Sequence, residues 1–461
     1  MPVSENLPAY FAAREKELLG PRFAVLHNYQ TVLPARGVTV NTLRCTPAEF
    51  VAKADFSIAP SPFCPNAFVV SDPAFKPGRH PYHHAGAFYA QEPSASAPAA
   101  LLDVRPGMKV LDLCAAPGGK SCQLAAALDG QGLLVANEFV APRAEILRQN
   151  LERMGAANAV VLNETPARIA AMLPSFFDRV LVDAPCSGEG MFRKEPAAIA
   201  QHDEALVVRC TELGAEILEA AAALLAPGGV LVYATCTFAP EEDESQIAAF
   251  LNRHPEFSLC DLSSAGFGSQ GEANRAVSAG IGEWPPAARC RRIWPRDGGE
   301  GHFMARLQKG GEQSGTGFFP RAKSGKPPAE WQDFVKTTFP FLTDAPTMTL
   351  KELLLLPPTV ALPPVRLHQL RAGVLAGSVL KGRFQPAHAL FMAYGARCLN
   401  REELTLADPR TAAWLRGEEI EAGTAQSGWC AVLVDGFPLG GGKVSGGRVK
   451  NHYPKALRNL K

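Results

Sequence analysis

Two cysteines stand where a thiol could act as a nucleophile. One lies in Asp183-Ala184-Pro185-Cys186-Ser187-Gly188, the other in Tyr233-Ala234-Thr235-Cys236-Thr237, and each follows an apolar run with the character of a buried strand. The thiolate is the attacking species, so a reactive cysteine needs surroundings that lower its pKa. Most of the eleven cysteines are read instead as small buried hydrophobes. No pair is spaced as CxxC, so no metal site is expected, and the odd count fits a reducing compartment better than a disulfide framework.

A second cluster could hold a nucleotide-like ligand. Asp112-Leu113-Cys114-Ala115-Ala116-Pro117-Gly118-Gly119-Lys120-Ser121 is a run of small residues opening a helix, where backbone can approach a ligand and unpaired N–H groups face it. It has neither the GxGxxG of a dinucleotide site nor the spacing of a P-loop. Gly-Gly alone would equally make a tight turn without a ligand. Glu138, about 20 residues further on, is placed to accept hydrogen bonds from ribose hydroxyls, and the two features together favour a nucleoside cofactor. Asn163-Glu164 is read as bordering its base.

The elements that must carry these clusters alternate. Strands are expected at 108–114, 133–136, 159–162, 179–182 and 230–234, and helices at 118–128, 142–154, 203–225 and 240–252. Such alternation gives a parallel sheet with right-handed crossovers, and its ligands sit beyond the strands' carboxyl ends, where every cluster above falls. An α+β module is expected over 1–95, the α/β catalytic domain over 96–308, a Gly/Ser/Lys-rich linker over 309–328 and a small mixed domain over 329–461. No apolar stretch is long enough to span a membrane and the N-terminus has no secretory h-region, so a cytoplasmic location is expected.

Net charge is +1 over 461 residues, which by itself argues neither for nor against nucleic acid. The last 22 residues carry six Lys/Arg, among them Lys443, Arg448, Lys450 and Lys455, and no acid. That is a candidate phosphate-contacting patch or simply a solvated basic tail. Tyr82, His83, His84, Phe88 and Tyr89 could stack on bases, although core packing is the favoured reading.

The stretches 114–121 and 183–188 and the triplet Thr235-Cys236-Thr237 resemble the motifs of the RNA cytosine-C5 methyltransferases of the Fmu/Sun/RsmF type. Val40-Asn41-Thr42 resembles that family's N-terminal RNA-binding extension. Arg292-Ile293-Trp294-Pro295 with Gly299-Glu300-Gly301-His302-Phe303 resembles the end of its catalytic domain. Gly436-Phe437-Pro438-Leu439-Gly440 onward resembles the PUA-like appendage of the RsmF branch. The resemblance implies a Rossmann-like S-adenosylmethionine-dependent fold. Cys236 would be the nucleophile, Cys186 would release the product, and Asp183 would orient and protonate cytosine. The cofactor would lie against Cys114, Ala115, Ala116, Pro117, Gly118, Gly119, Lys120, Glu138 and Asp183. The family often has an acid near Thr165, so Asn163, Glu164 and Thr165 all stay candidates for the adenine contact. The substrate implied is RNA, first of all 16S rRNA or the small ribosomal subunit, acted on by a monomer. A transfer-RNA cytosine-C5 methyltransferase and a catalytically silent ribosome-assembly factor are the alternatives. An amino-group methyltransferase fits less well, because it would have no use for Cys236.

Overall fold

The computed structural model describes residues 7–27, 34–72, 74–278, 280–312 and 325–458. The chain first forms α1 (Ala9–Leu19), with Phe11, Glu15 and Leu19 buried. A four-stranded antiparallel sheet follows, in the spatial order Ile58–Pro60, Ala67–Val70, Gly37–Val40 and Phe88–Gln91.

The alternating segment then folds as expected. It runs β1 (Lys109–Asp112), α2 (Gly119–Ala127), β2 (Leu133–Asn137), α3 (Ala141–Arg153), β3 (Ala159–Leu162), α4 (Pro166–Met172), β4 (Phe177–Asp183), α5 (Glu204–Leu224), β5 (Leu225–Thr235), α6 (Glu244–Arg253) and β6 (His302–Lys309). The order across the sheet is β3-β2-β1-β4-β5-β6, with β6 antiparallel to β5 and the others parallel. Successive strand residues feed opposite faces. Leu111, Val135, Val160, Val180 and Leu231 pack with α4, α5 and α6 on one side. Val110, Leu134, Val161, Leu181 and Val232 pack with α2 and α3 on the other. Each such side chain contributes about 1.5–3 kcal/mol when fully buried. The chain leaves β1 in one direction and β4 in the other, so a crevice opens between their carboxyl ends. Cap residues set where two helices begin: Asp203 accepts the Leu206 N–H before α5 and Thr165 accepts the Arg168 N–H before α4.

Three details differ from the sequence reading. The fifth strand starts at Leu225, not 230, because Leu225 pairs with Phe177 across a register irregularity. Lys309, the expected first linker residue, belongs to β6, and its Nζ donates to the carbonyls of Ala222 and Leu225; most of that linker, 313–324, lies outside the described residues. The region after 329 also adds a strand to the catalytic sheet. Its segment β7 (Gln369–Ala372) pairs antiparallel with β3, satisfying backbone groups that an edge strand would otherwise expose.

The rest of that region builds a four-stranded and a five-stranded sheet. The five-stranded one shares a hydrophobic core with the N-terminal sheet: Val38, Phe50 and Phe88 pack with Trp414, Val432 and Phe437. The aromatic stretch at 82–89 serves this joint rather than an open stacking surface. Tyr82 donates to Asp435, His84 Nδ1 lies 3.0 Å from the Tyr453 hydroxyl, and Phe88 is fully buried. Tyr89 packs under the Arg153 guanidinium. No helix among the described residues is long and apolar enough to cross a membrane.

Candidate active site

The carboxyl ends of β1, β2, β4 and β5 surround a cavity of about 690 Å³. Asn137 stitches this rim: its amide donates to the carbonyls of Leu113 and Glu164 and its Oδ1 accepts the Glu164 N–H. Cys114, Ala116, Glu138, Thr165, Asp183, Cys186 and Cys236 all line the cavity. Glu138 is fixed by the Val140 N–H at 2.8 Å and by Arg143 at 3.5 Å. Arg143 also donates to the Ala116 carbonyl, which ties the small-residue loop to α3. Gly118 caps α2 with φ 115°, a left-handed conformation in which a side chain would be strained.

Some expected cofactor residues work from behind the wall. Ala115 donates its N–H to the Asn137 carbonyl, and the Pro117 carbonyl accepts from Asn150. Gly118 and Gly119 form the turn into α2, and Lys120 reaches forward to Asp183 Oδ2 at 2.7 Å. Asn163 and Glu164, expected beside the base, do not line the cavity. Asn163 donates to the carbonyls of Glu138 and Phe139, and Glu164 accepts the His368 N–H. Thr165 takes the lining position, with Pro166 and Ala167. Phe139, 63% exposed beside the cavity, was not singled out from sequence, although its place directly after Glu138 is the local signal that could have found it.

The two sulfurs meet. Cys186 Sγ lies 3.3 Å from Cys236 Sγ, and the Cys236 N–H points at Cys186 Sγ at 3.4 Å. The hydrogen bond with Cys236, followed by burial, pushes the Cys186 thiol well up, which favours its protonated form beside Cys236. Burial disfavours the Lys120 ammonium, but Asp183 outweighs it and the pKa of Lys120 is raised. A fixed cation therefore stands at the same rim as the thiols. Burial also lifts Asp112 to about 7, against a hydrogen bond from Ser121.

A latch joins the two cysteine loops. Ser187 Oγ contacts Thr237 Oγ1 at 2.7 Å and Glu242 at 2.5 Å, and Glu242 also accepts the Ser187 N–H at 2.9 Å. Burial pushes Glu242 up to about 9, despite those hydrogen bonds. Gly190 donates its N–H to the Cys236 carbonyl at 2.9 Å, and a Cβ there would lie 2.8 Å from the Gly301 carbonyl oxygen. Neither Glu242 nor Gly190 carried a sequence signal of its own.

The cavity suits a nucleoside bearing a positively charged sulfur. It offers a carboxylate at Glu138, an exposed ring at Phe139 and a second carboxylate at Asp183 beside the thiols. The basic residues expected to meet RNA lie elsewhere, on the five-stranded sheet. Lys443 and Lys450 are cross-strand partners and make no ion pair among the described residues, whereas Arg448 is drawn to Glu419. Lys455 lies in the short helical turn Lys455–Leu457.

Comparison with known proteins gives three family matches along the chain. The 16S rRNA methyltransferase RsmB/F model matches residues 99–308, the N-terminal domain of 16S rRNA methyltransferase RsmF matches 7–93, and the methyltransferase RsmF PUA domain matches 401–459. Ribosomal RNA small subunit methyltransferase F of Vibrio parahaemolyticus is 31% identical over 94% of this chain and 97% of the relative. The Aeromonas hydrophila protein of the same name is 32% identical over 92% of this chain and 90% of its own. Among solved structures, a methyltransferase homolog from Pyrococcus horikoshii superposes with TM-score 0.58 at 29% identity, covering 65% of this chain and 94% of that one. NSun6 from Pyrococcus horikoshii, solved with SFG, shares the fold at TM-score 0.55 and 19% identity, covering 67% of this chain and all of that one.

Proposed function

Because the chain belongs to the 16S rRNA methyltransferase RsmB/F family, we propose that it methylates carbon 5 of a cytosine in small-subunit ribosomal RNA through a covalent Cys236–cytosine adduct. The observation that carries this reading is the pair of thiols 3.3 Å apart at the rim of the cofactor-sized cavity.

S-adenosylmethionine would be held by Glu138, Thr165, Asp183 and the 114–120 loop, and would supply an electrophilic methyl group. Everything else falls to the chain's own residues. Carbon 5 of cytosine is a poor nucleophile, so Cys236 thiolate adds to carbon 6 and makes the ring an enamine whose carbon 5 can attack. Asp183 hydrogen-bonds the ring-nitrogen and exocyclic-amine edge, where protonation at nitrogen 3 accepts the electron density pushed into the ring. Lys120, bonded to Asp183, fixes that carboxylate and favours negative charge on the neighbouring sulfur. After methyl transfer the carbon 5 proton passes to water, the carbon 6–sulfur bond breaks with its electron pair returning to Cys236, and nitrogen 3 gives its proton back at the Asp183 edge. Cys186, which keeps its proton against Cys236, delivers it to the departing thiolate and so frees the product. Helical RNA hides its bases, so the target is an unpaired or flipped-out cytosine. One chain holds both thiols and the whole cavity, so a monomer suffices for the proposed reaction.

Two measurements test the proposal. Bisulfite sequencing of total RNA from cells with and without the gene should show loss of a 5-methylcytosine in small-subunit ribosomal RNA. Loss confined to transfer RNA would move the substrate and keep the chemistry. Purified Cys236→Ala should bind S-adenosylmethionine and transfer no methyl group; turnover by that variant would remove Cys236 as the nucleophile.

A further inference from the structure

α1 lies outside the residues matched by the catalytic family model, yet two of its charged side chains reach the residues that hold the nucleophile's loop. Arg14 Nη2 donates to Glu189 Oε2 at 2.7 Å, and the same oxygen accepts the Phe238 N–H at 3.0 Å. Glu15 Oε1 accepts from Arg275 Nη2 at 2.6 Å, and that nitrogen also donates to the Phe238 carbonyl at 2.6 Å. Both backbone polar groups of Phe238, two residues beyond Cys236, are thus held by groups that α1 holds. His202 braces the other oxygen of Glu189 at 2.9 Å, and Phe11 packs edge-on against Phe192. Glu15, Glu189 and Arg275 are fully buried. Buried ion pairs of this kind give little net stability over apolar residues of the same shape. Placing four charged groups in line with the two peptide units that flank Phe238 therefore points to geometry as their use. Glu189 and Gly190 strap the same loop, since the Gly190 N–H holds the Cys236 carbonyl.

We propose that α1 is a positioning element for the nucleophile: Arg14 and Glu15, acting through Glu189 and Arg275, fix the 236–238 loop and with it the aim of Cys236. The proposal rests on Cys236 being the nucleophile. The carbon 6–sulfur bond forms only when the sulfur is within attacking reach, and a misplacement of about 1 Å can cost a hundredfold in rate. Arg14, Glu15, Glu189, Phe238 and Arg275 do not line the cofactor cavity, which meets this loop at Cys236, so cofactor affinity should not follow.

The test uses the full chain and 16S rRNA transcribed with 5-fluorocytidine, whose fluorine blocks loss of the carbon 5 substituent and leaves an SDS-stable adduct. Arg14→Met and Glu15→Gln should each slow adduct formation roughly 10- to 100-fold. S-adenosylmethionine affinity should stay at the wild-type value, and Arg14→Lys should recover most of the rate. Wild-type adduct rates in folded Arg14→Met and Glu15→Gln would overturn the proposal. So would a parallel loss of cofactor affinity and adduct rate in all three variants, which would make α1 only a structural prop. Adduct formation by Cys236→Ala would instead overturn the nucleophile itself, a result independent of the α1 variants.

Discussion

Replacing Glu242 by Gln should stabilise this protein, and by an amount that grows with pH. The carboxyl is buried and keeps its proton up to about pH 9, where an unfolded Glu releases it near 4.5. Between those values the folded state binds one more proton than the unfolded state. Folding therefore loses about 1.36 kcal/mol per pH unit as the pH rises through that window. Gln has the same shape and no proton to acquire. Its amide can donate to Ser187 Oγ and its carbonyl can accept the Ser187 N–H, so the latch to Thr237 survives. From pH 5.5 to 8.5 the stability difference between Glu242→Gln and wild type should grow by at most ~4 kcal/mol. Relaxation and water entry at the rim should bring it nearer ~2 kcal/mol. Asp112, also raised by burial, titrates in both proteins and cancels in the difference, whereas Asp243, whose charge helps to raise Glu242, cancels only in part. Urea denaturation followed by tryptophan fluorescence at three pH values measures it. A difference that does not change with pH would mean Glu242 is ionised in the folded state, and the argument from burial would fail.

Two further outcomes follow from the site and from the basic sheet. Cys186→Ala should accumulate an RNA–protein adduct stable to SDS during normal turnover, because the leaving thiolate loses its proton donor; a gel without that band refutes the release role. Lys443→Glu with Lys450→Glu should weaken RNA binding and lower the salt dependence by roughly two phosphate contacts, with S-adenosylmethionine affinity unchanged. An unchanged salt slope in a filter-binding series would exclude that face from the RNA interface.

The strand ends were legible because physics marks them locally. A fully buried parallel strand is an apolar run, and its last residue turns polar where the chain meets the crevice, as at Asp112, Asn137, Asp183 and Thr235. What stayed illegible are contacts between distant residues that have no local pattern. Glu242 lies 55 residues from Ser187, and Glu15 lies 260 residues from Arg275. Gln-Leu-Arg-Ala at 369–372 alternates polar and apolar but is too short to stand out as a strand, and it becomes β7 where the edge of β3 is there to pair with. Asn163 and Glu164 looked like cofactor contacts because they follow a strand. Their polar atoms are used instead to hold the Glu138 turn and the His368 backbone, which leaves the cavity to Thr165.

The core shared by the N-terminal sheet and the last sheet has a consequence for how the protein is made. Phe50, Phe68 and Phe88 leave the ribosome long before Val432, Phe437 and Tyr453, which complete their packing. At about 5–20 residues per second the earlier sheet waits roughly 20–70 s with an apolar face uncovered. A chain cut short after the catalytic domain would keep that face open for good. Such a product is expected to aggregate or be degraded rather than persist as a methyltransferase with weakened RNA binding. The two ends of this gene are bound to each other's survival.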